Sequence, residues 1–178
     1  MSKKVLVIST SLRHNSNSDL LAQRFAQGAR EAGHQVEIIS LRGKDLHFCN
    51  GCMACLNAHR CVIQDDANDI VEKMGAAEVI CFATPVYYYE MSGQMKTLLD
   101  RANPLYFSDY QFRDIYLLTA SAEEEDSASD GAINGLKGWI ACFEKVRLVC
   151  VVRGAGANNP GEMASEKLTE AYEMGRDL

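Results

Sequence analysis

Five short β-type runs alternate with helix-patterned segments along the chain, and that alternation restricts the fold more than any other feature. Val5-Leu6-Val7-Ile8-Ser9 is continuous and β-branched, as expected of a strand covered on both faces. Asn17-Ser18-Asp19 offers N-cap chemistry to a helix in which Leu21, Phe25, Ala29 and Ala32 recur at helical spacing. Gly33 supplies the stop. Val36 to Leu41 reads as the second strand. Asp65-Asp66 opens a helix with Ile70, Val71, Met74 and Ala77 on one face, and Val79 to Ala83 is the third strand, which Pro85 is expected to break. Ser92 caps a helix carrying Met95, Leu98 and Leu99, and Ile115 to Ala120 is the fourth strand. An acidic, serine-rich loop from Ala122 to Asp130 follows, expected to be solvated. Ile133, Leu136, Ile140 and Phe143 mark another helix, Leu148 to Val152 the fifth strand, and a last helix runs from about Pro160 to Gly175.

Such alternation specifies a parallel sheet with helices on both faces. For five strands the expected arrangement is a three-layer α/β fold of strand order 2-1-3-4-5, with a ligand crevice beyond the carboxyl ends of the strands. No linker, repeat or low-complexity stretch divides the chain. It reads as one domain, 1–178, with a cysteine-bearing loop at 42–64.

The balance of 18 Lys+Arg against 24 Asp+Glu, net −6, argues against nucleic acid or an anionic membrane surface as partner. No apolar run approaches the ~20 residues that span a bilayer. Val5 to Ile8 is too brief for a signal-peptide core, so a cytoplasmic setting is expected. Seven cysteines in a reducing compartment then read as thiols or ligands rather than bridges.

Between the first strand and its helix lies Ser9-Thr10-Ser11-Leu12-Arg13-His14-Asn15-Ser16-Asn17-Ser18, rich in hydroxyls, with one arginine and no glycine. Neither a dinucleotide fingerprint nor a Walker loop is present. What remains is a cradle for a single phosphate, in which helix N-terminal N–H groups, Ser and Asn donors and the Arg13 charge act together. A polar loop with an ordinary N-cap is the plainer account. After the third strand comes Thr84-Pro85-Val86-Tyr87-Tyr88-Tyr89-Glu90-Met91-Ser92. Its aromatic faces and backbone N–H groups suit a flat heteroaromatic ligand, although tyrosines also populate subunit interfaces.

Together, Ser11-x-Arg13-x-x-Ser16-Asn17-Ser18 and Pro85-Val86-Tyr87…Ser92…Lys96…Asp100-Arg101 resemble the NAD(P)H-dependent flavodoxin-fold oxidoreductases. That superfamily includes FMN reductases, quinone reductases and iron–sulfur flavoproteins. The resemblance implies a flavodoxin-like fold and bound FMN, its phosphate at Ser11, Leu12, Arg13, Ser16, Asn17 and Ser18. The isoalloxazine would lie against Pro85, Val86, Tyr87 and Tyr88, with Thr119 and Ala120 in a third flavin-contacting loop. It implies NAD(P)H as co-substrate, a small-molecule electron acceptor and a homodimer or higher homo-oligomer.

Cys49-x2-Cys52-x2-Cys55-x5-Cys61 lets one turning loop aim several thiolates at one centre, as ferredoxin-type sites do. The spacing looks like that of iron–sulfur flavoproteins, which implies a [4Fe–4S] cluster near the flavin and exchange with a ferredoxin-like protein. A redox-active thiol pair modulated by His59, or an inert remnant, stays open. Zinc fits less well, because paired knuckles sit farther apart. Cys81, Cys142 and Cys150 read as buried small hydrophobes. No nucleophile–base or paired-carboxylate arrangement declares itself, and His14, His34, His47 and His59 read as surface residues. Hydride chemistry carried by a cofactor needs no protein base.

Overall fold

The apolar runs pair edge to edge in the computed structural model, which describes residues 1–178. In chain order the elements are β1 (Lys4–Ser9), α1 (Asn17–Glu31), β2 (Gln35–Ser40), the single turn α2 (Cys55–Ala58) and α3 (Asp66–Ala76). Then come β3 (Val79–Tyr87), β4 (Glu90–Met91), α4 (Gly93–Arg101), β5 (Asp114–Ala120), α5 (Asp130–Ile140), β6 (Arg147–Gly154) and α6 (Ser165–Arg176). The parallel ladder runs β2-β1-β3-β5-β6. With the two-residue β4 set aside, this is the expected order 2-1-3-4-5. The extra strand, β4, pairs antiparallel with the end of β3, Val86 opposite Met91 and Tyr87 opposite Glu90.

Alternation along the strands divides the core into two layers. Leu6, Ile8, Ile80, Phe82, Ile115 and Leu117 face α3, α4 and α5 in a cluster of 25 buried residues. Val5, Val7, Val79, Cys81, Tyr116 and Leu118 face α1 and α6 in a second cluster of 16. Each fully buried large side chain contributes roughly 1.5–3 kcal/mol of transfer free energy. No helix is long and apolar enough to cross a membrane.

Pro85 does not break the third strand, which continues to Tyr87 with Pro85 in register with Ala120. The carbonyl of Ala83 faces β1, where it accepts from the Thr10 N–H at 2.9 Å. Two residues on, Pro85 faces the same way. By then β1 has ended at Ser9, so a proline N without hydrogen forfeits no ladder bond. Of the three cysteines expected to be buried, only Cys81 is. Cys142 lies past the end of α5, and Cys150 is exposed on β6, an edge strand whose outer face is largely uncovered. The acidic loop is solvated only in its first half, because Asp126–Ser129 forms a 3-10 turn that buries Ala128 and Ser129. The last helix starts at Ser165, not near Pro160, since Asn158 to Met163 is tied to α1 instead.

Helices α1 and α6 meet at two glycines. A Cβ on Gly28 would stand 2.0 Å from the Tyr172 carbonyl oxygen, and one on Gly175 would stand 2.0 Å from that of Phe25. Backbone cannot yield as a flexible side chain can. Gly28→Ala and Gly175→Ala are each expected to lower unfolding free energy in urea by about 3 kcal/mol, at the upper end of ordinary overpacking.

Candidate functional site

Strand register brings the loops after β1, β3, β5 and β6 to a single edge of the sheet. Ser9 pairs with Ala83, Thr84 with Thr119, Pro85 with Ala120, and Ala120 with Gly154. The expected phosphate loop, the tyrosine loop and the segment after β5 are therefore neighbours in space.

In the first loop Ser11, Ser16, Asn17 and Ser18 are buried, whereas Leu12 and Arg13 are exposed. The N-cap of α1 is Ser16, one residue earlier than the sequence suggests. Its Oγ accepts from the Asp19 N–H at 3.1 Å and lies 3.2 Å from the Ser18 hydroxyl. The N–H groups of Ser11, Leu12, His14, Asn15, Ser16, Asn17 and Ser18 make no hydrogen bond within the chain. They stand at the positive end of a 15-residue helix dipole. Asp19 is the only acid in that first turn, and its carboxylate accepts from the Ser9 hydroxyl.

The Asn17 side chain does not face this loop's opening. Its Nδ2 donates to the carbonyls of Ala157 (3.0 Å) and Asn159 (2.8 Å), and its Oδ1 accepts from the N–H of Gly161 and Met163. Arg13 reaches the same segment, donating from Nη1 to the Asn158 carbonyl at 3.1 Å. The segment after β6 thus forms a wall beside the first loop. Its only sequence signal is the turn-forming run Asn158-Asn159-Pro160-Gly161.

A chain of buried hydroxyls joins the first loop to the tyrosine loop. Thr10 Oγ1 donates to the Ala83 carbonyl at 3.1 Å and lies 2.9 Å from Ser92 Oγ. The Ser92 N–H donates to Thr84 Oγ1 at 3.0 Å, and Ser92 Oγ caps α4 by accepting from Met95 N–H. Neither Thr10 nor Thr84 could be singled out from sequence, since a lone threonine at a strand end carries no signal.

The tyrosine loop is a two-residue hairpin. Tyr88 and Tyr89 occupy its tip with φ of 49° and 64°, so both central residues lie in the left-handed region. That conformation ordinarily selects Asn-Gly, and bulky residues there store strain. All three rings project outward, and the Tyr88 side chain is wholly exposed. The tip is held by α5, where a Cβ on Gly131 would stand 2.1 Å from the Tyr89 carbonyl oxygen. On the neighbouring strand the Thr119 hydroxyl is turned inward, donating to the Val152 carbonyl at 3.1 Å and lying 2.8 Å from Ser129 Oγ. Ala120 is buried at the strand's end.

The cysteine loop lies to one side of this edge. Cys49, Cys52, Cys55 and Cys61 all line one cavity of about 720 Å³, walled also by Arg101, Tyr106, Phe107, Trp139 and Phe143. No three of the sulfurs converge on one metal-ion position. Cys55 Sγ accepts from Asn103 Nδ2 at 3.1 Å. His59 ends α2 exposed, with φ 53°. Asp65 caps α3 as expected, and it also pairs with the buried Arg101. Burial alone would raise the Asp65 pKa. Hydrogen bonds from Arg101 and from the His47 N–H outweigh that and hold it below the ordinary carboxylate value.

A family model of NADPH-dependent FMN reductases matches residues 3–157. The chain belongs to that family. Among curated relatives of this FMN reductase family member, an iron–sulfur flavoprotein of Methanocaldococcus jannaschii is 40% identical over 102 residues, 57% of this chain and 53% of that protein. One from Archaeoglobus fulgidus is 34% identical over 110 residues, 62% of this chain and 54% of that protein. The chain spans about half the length of these relatives. Among solved structures, an NAD(P)H:quinone oxidoreductase from Methanothermobacter marburgensis superposes with a TM-score of 0.77 at 18% identity, covering 100% of this chain and 96% of that one. That likeness establishes a shared flavodoxin-like fold.

For this family member the hairpin tip yields a direct test of stored strain. Replacing Tyr88-Tyr89 by Asn-Gly is expected to raise stability by about 1–3 kcal/mol, because both positions then suit the turn. Thermal or urea unfolding reads the change; an unchanged or lowered midpoint would mean that the tyrosines occupy the turn without strain.

Proposed function

We propose that this chain is an NAD(P)H-dependent FMN oxidoreductase, built as one flavodoxin-like FMN-binding domain over residues 1–178. The observation that carries the reading is the first loop. Seven backbone N–H groups lack acceptors in the loop that leads into a helix N-terminus, beside the buried hydroxyls of Ser11, Ser16 and Ser18, in a chain matched by the FMN reductase family. That donor set suits a phosphate monoester dianion. Ser11, Leu12, Arg13, Ser16, Asn17 and Ser18 would hold the phosphate, Leu12 through its N–H. Asn17 would contribute its backbone N–H, because its side-chain amide is already committed to residues 157–163.

Pro85, Val86, Tyr87 and Tyr88 would flank the isoalloxazine, with Thr119 and Ala120 closing the floor through backbone rather than through the inward-turned Thr119 hydroxyl. When bound, FMN supplies a ring nitrogen able to accept hydride from NAD(P)H, after which a quinone, flavin or nitro/azo acceptor takes the electrons. The protein's part is to orient and to exclude water. The hydroxyl chain Thr10–Ser92–Thr84 sets the distance between phosphate and ring loops, and no side chain is asked to move a proton. A homo-oligomer would cover the exposed rings of Tyr87, Tyr88 and Tyr89. A reducing, cytoplasmic setting accords with seven free thiols.

Arg13→Ala is expected to weaken FMN about 10–100-fold by fluorescence titration while leaving riboflavin nearly unaffected, since it removes a charge-assisted phosphate partner worth ~1.5–3 kcal/mol. Equal losses for the two ligands would contradict the anchoring role. Anaerobic NADH or NADPH should bleach the bound flavin, and resistance to both would end the proposal.

A second reading concerns the cysteines. That all four line one cavity supports a [4Fe–4S] cluster, as does the iron–sulfur naming of the two curated relatives. A four-iron cluster is held by sulfurs spaced around it, not by ligands meeting at one ion, so the arrangement in one cavity fits. Here Cys49, Cys52, Cys55 and Cys61 would be its ligands, and a ferredoxin-like protein its electron partner. Anaerobically purified chain should carry about four iron and four acid-labile sulfide; less than about one iron per chain would overturn this reading.

A further inference from the structure

The cysteine loop is gripped from beneath by one side chain. Arg101 ends α4, and its side chain is fully buried. Nη1 donates to the His47 carbonyl at 2.8 Å and to Asp65 Oδ2. Nη2 donates to the Ile63 carbonyl at 3.1 Å and to Asp65 Oδ1 at 2.8 Å. His47 precedes Cys49 by two residues and Ile63 follows Cys61 by two, so a single planar fork bridges both ends of the run. Asp65 closes the ring by accepting from the His47 N–H at 2.8 Å.

A guanidinium is a costly way to end a helix inside a protein, and an apolar residue would fill the space more cheaply. Geometry explains the choice. The planar fork makes four hydrogen bonds here, two to carbonyls and two to one carboxylate, where a lysine ammonium has only three N–H groups on a single nitrogen. One donor is left over. Arg101 Nε is the sole buried side-chain nitrogen or oxygen without a hydrogen-bond partner, on a side chain that lines the cavity shared by the four cysteines and lies beside Cys61.

We propose that Arg101 is a positioning residue of the cysteine loop. Its fork holds residues 47 and 63 together, so that Cys49, Cys52, Cys55 and Cys61 surround one cavity before any metal arrives, and its Nε–H is kept to meet a sulfur held there. The second half of this inference rests on the cluster reading, whereas the first does not. Preorganised ligands bind more tightly, and donors to sulfur tune a cluster once it is present.

The test uses the full chain without metal, and two variants, Arg101→Lys and Asp65→Asn. Native-state trypsin cleavage after the exposed Arg60 reports opening of the loop, and iodoacetamide labelling of Cys55 and Cys61 reports release of its thiols. Arg113 and Cys150, both exposed and outside the loop, serve as internal references. Both loop signals are expected to rise about fivefold or more in each variant, with the references within about twofold, as local opening requires. Loop signals that stay level overturn the assignment. So does an equal rise at Arg113 and Cys150, which would make Arg101 a support of the whole fold.

Anaerobic loading with ferrous iron and sulfide forms the remaining arm. Wild-type chain should take up iron, and each variant should retain less than about half of it under the same conditions. Variants that load as fully as wild type overturn the positioning role. A wild-type chain that takes up none sinks the cluster reading and the Nε assignment, while the metal-free measurements still decide the grip on the loop.

Discussion

Everything at the candidate site hangs from the register of the parallel ladder. β1 stops at Ser9 beside Ala83, while β3 continues through Pro85 alongside Ala120. Because β1 is shorter, its loop turns over the sheet edge one step below the tyrosine hairpin, so the two loops stand at different heights on the same edge. The two apolar layers hold this register, since a slip by one residue would exchange the α1 face of every strand for its α3 face.

On that frame the loops are tied by local polar contacts rather than by bulk packing. Thr10, Ser92 and Thr84 form a buried chain between the first two loops, and Asn17 spends its whole amide on the segment after β6. Buried hydroxyls and amides are costly unless matched, so each satisfied group also selects one arrangement of its loop. The hairpin tip obeys a different logic. Tyr88 and Tyr89 accept a left-handed backbone, and the close approach of Gly131 to the Tyr89 carbonyl keeps the turn against α5. Strain of this sort persists only where surrounding contacts outweigh it.

Strand order, both layers and the position of the first loop were legible from apolar runs and from residues such as Gly33, Asp65 and Ser92, whose cap roles are local. What escaped was long-range. The continuation of β3 past Pro85 depends on where β1 ends, which no residue near Pro85 encodes. Cys150 is exposed because β6 closes the sheet on one side, and an apolar run looks alike in a central and an edge strand, whereas Cys142 is exposed because α5 ends at Ile140, before reaching it. Asn17 looks like an ordinary capping residue, and its attachment to a loop some 140 positions away becomes visible only in three dimensions. Arg101 was visible as half of a motif, but its burial and its hold on His47 and Ile63 were not.

The two glycines between α1 and α6 have a consequence for where this molecule can be cut. The family match ends at residue 157, ahead of α6. Yet Gly28 and Gly175 bring the final helix to backbone contact with α1, and Met163 and Ala171 complete the layer under that helix. A chain shortened at residue 157 would strip the outer wall from α1 and release the Asn17 amide from Asn159, Gly161 and Met163. The part of the sequence least marked by its family is therefore a buttress for the residues that mark it most.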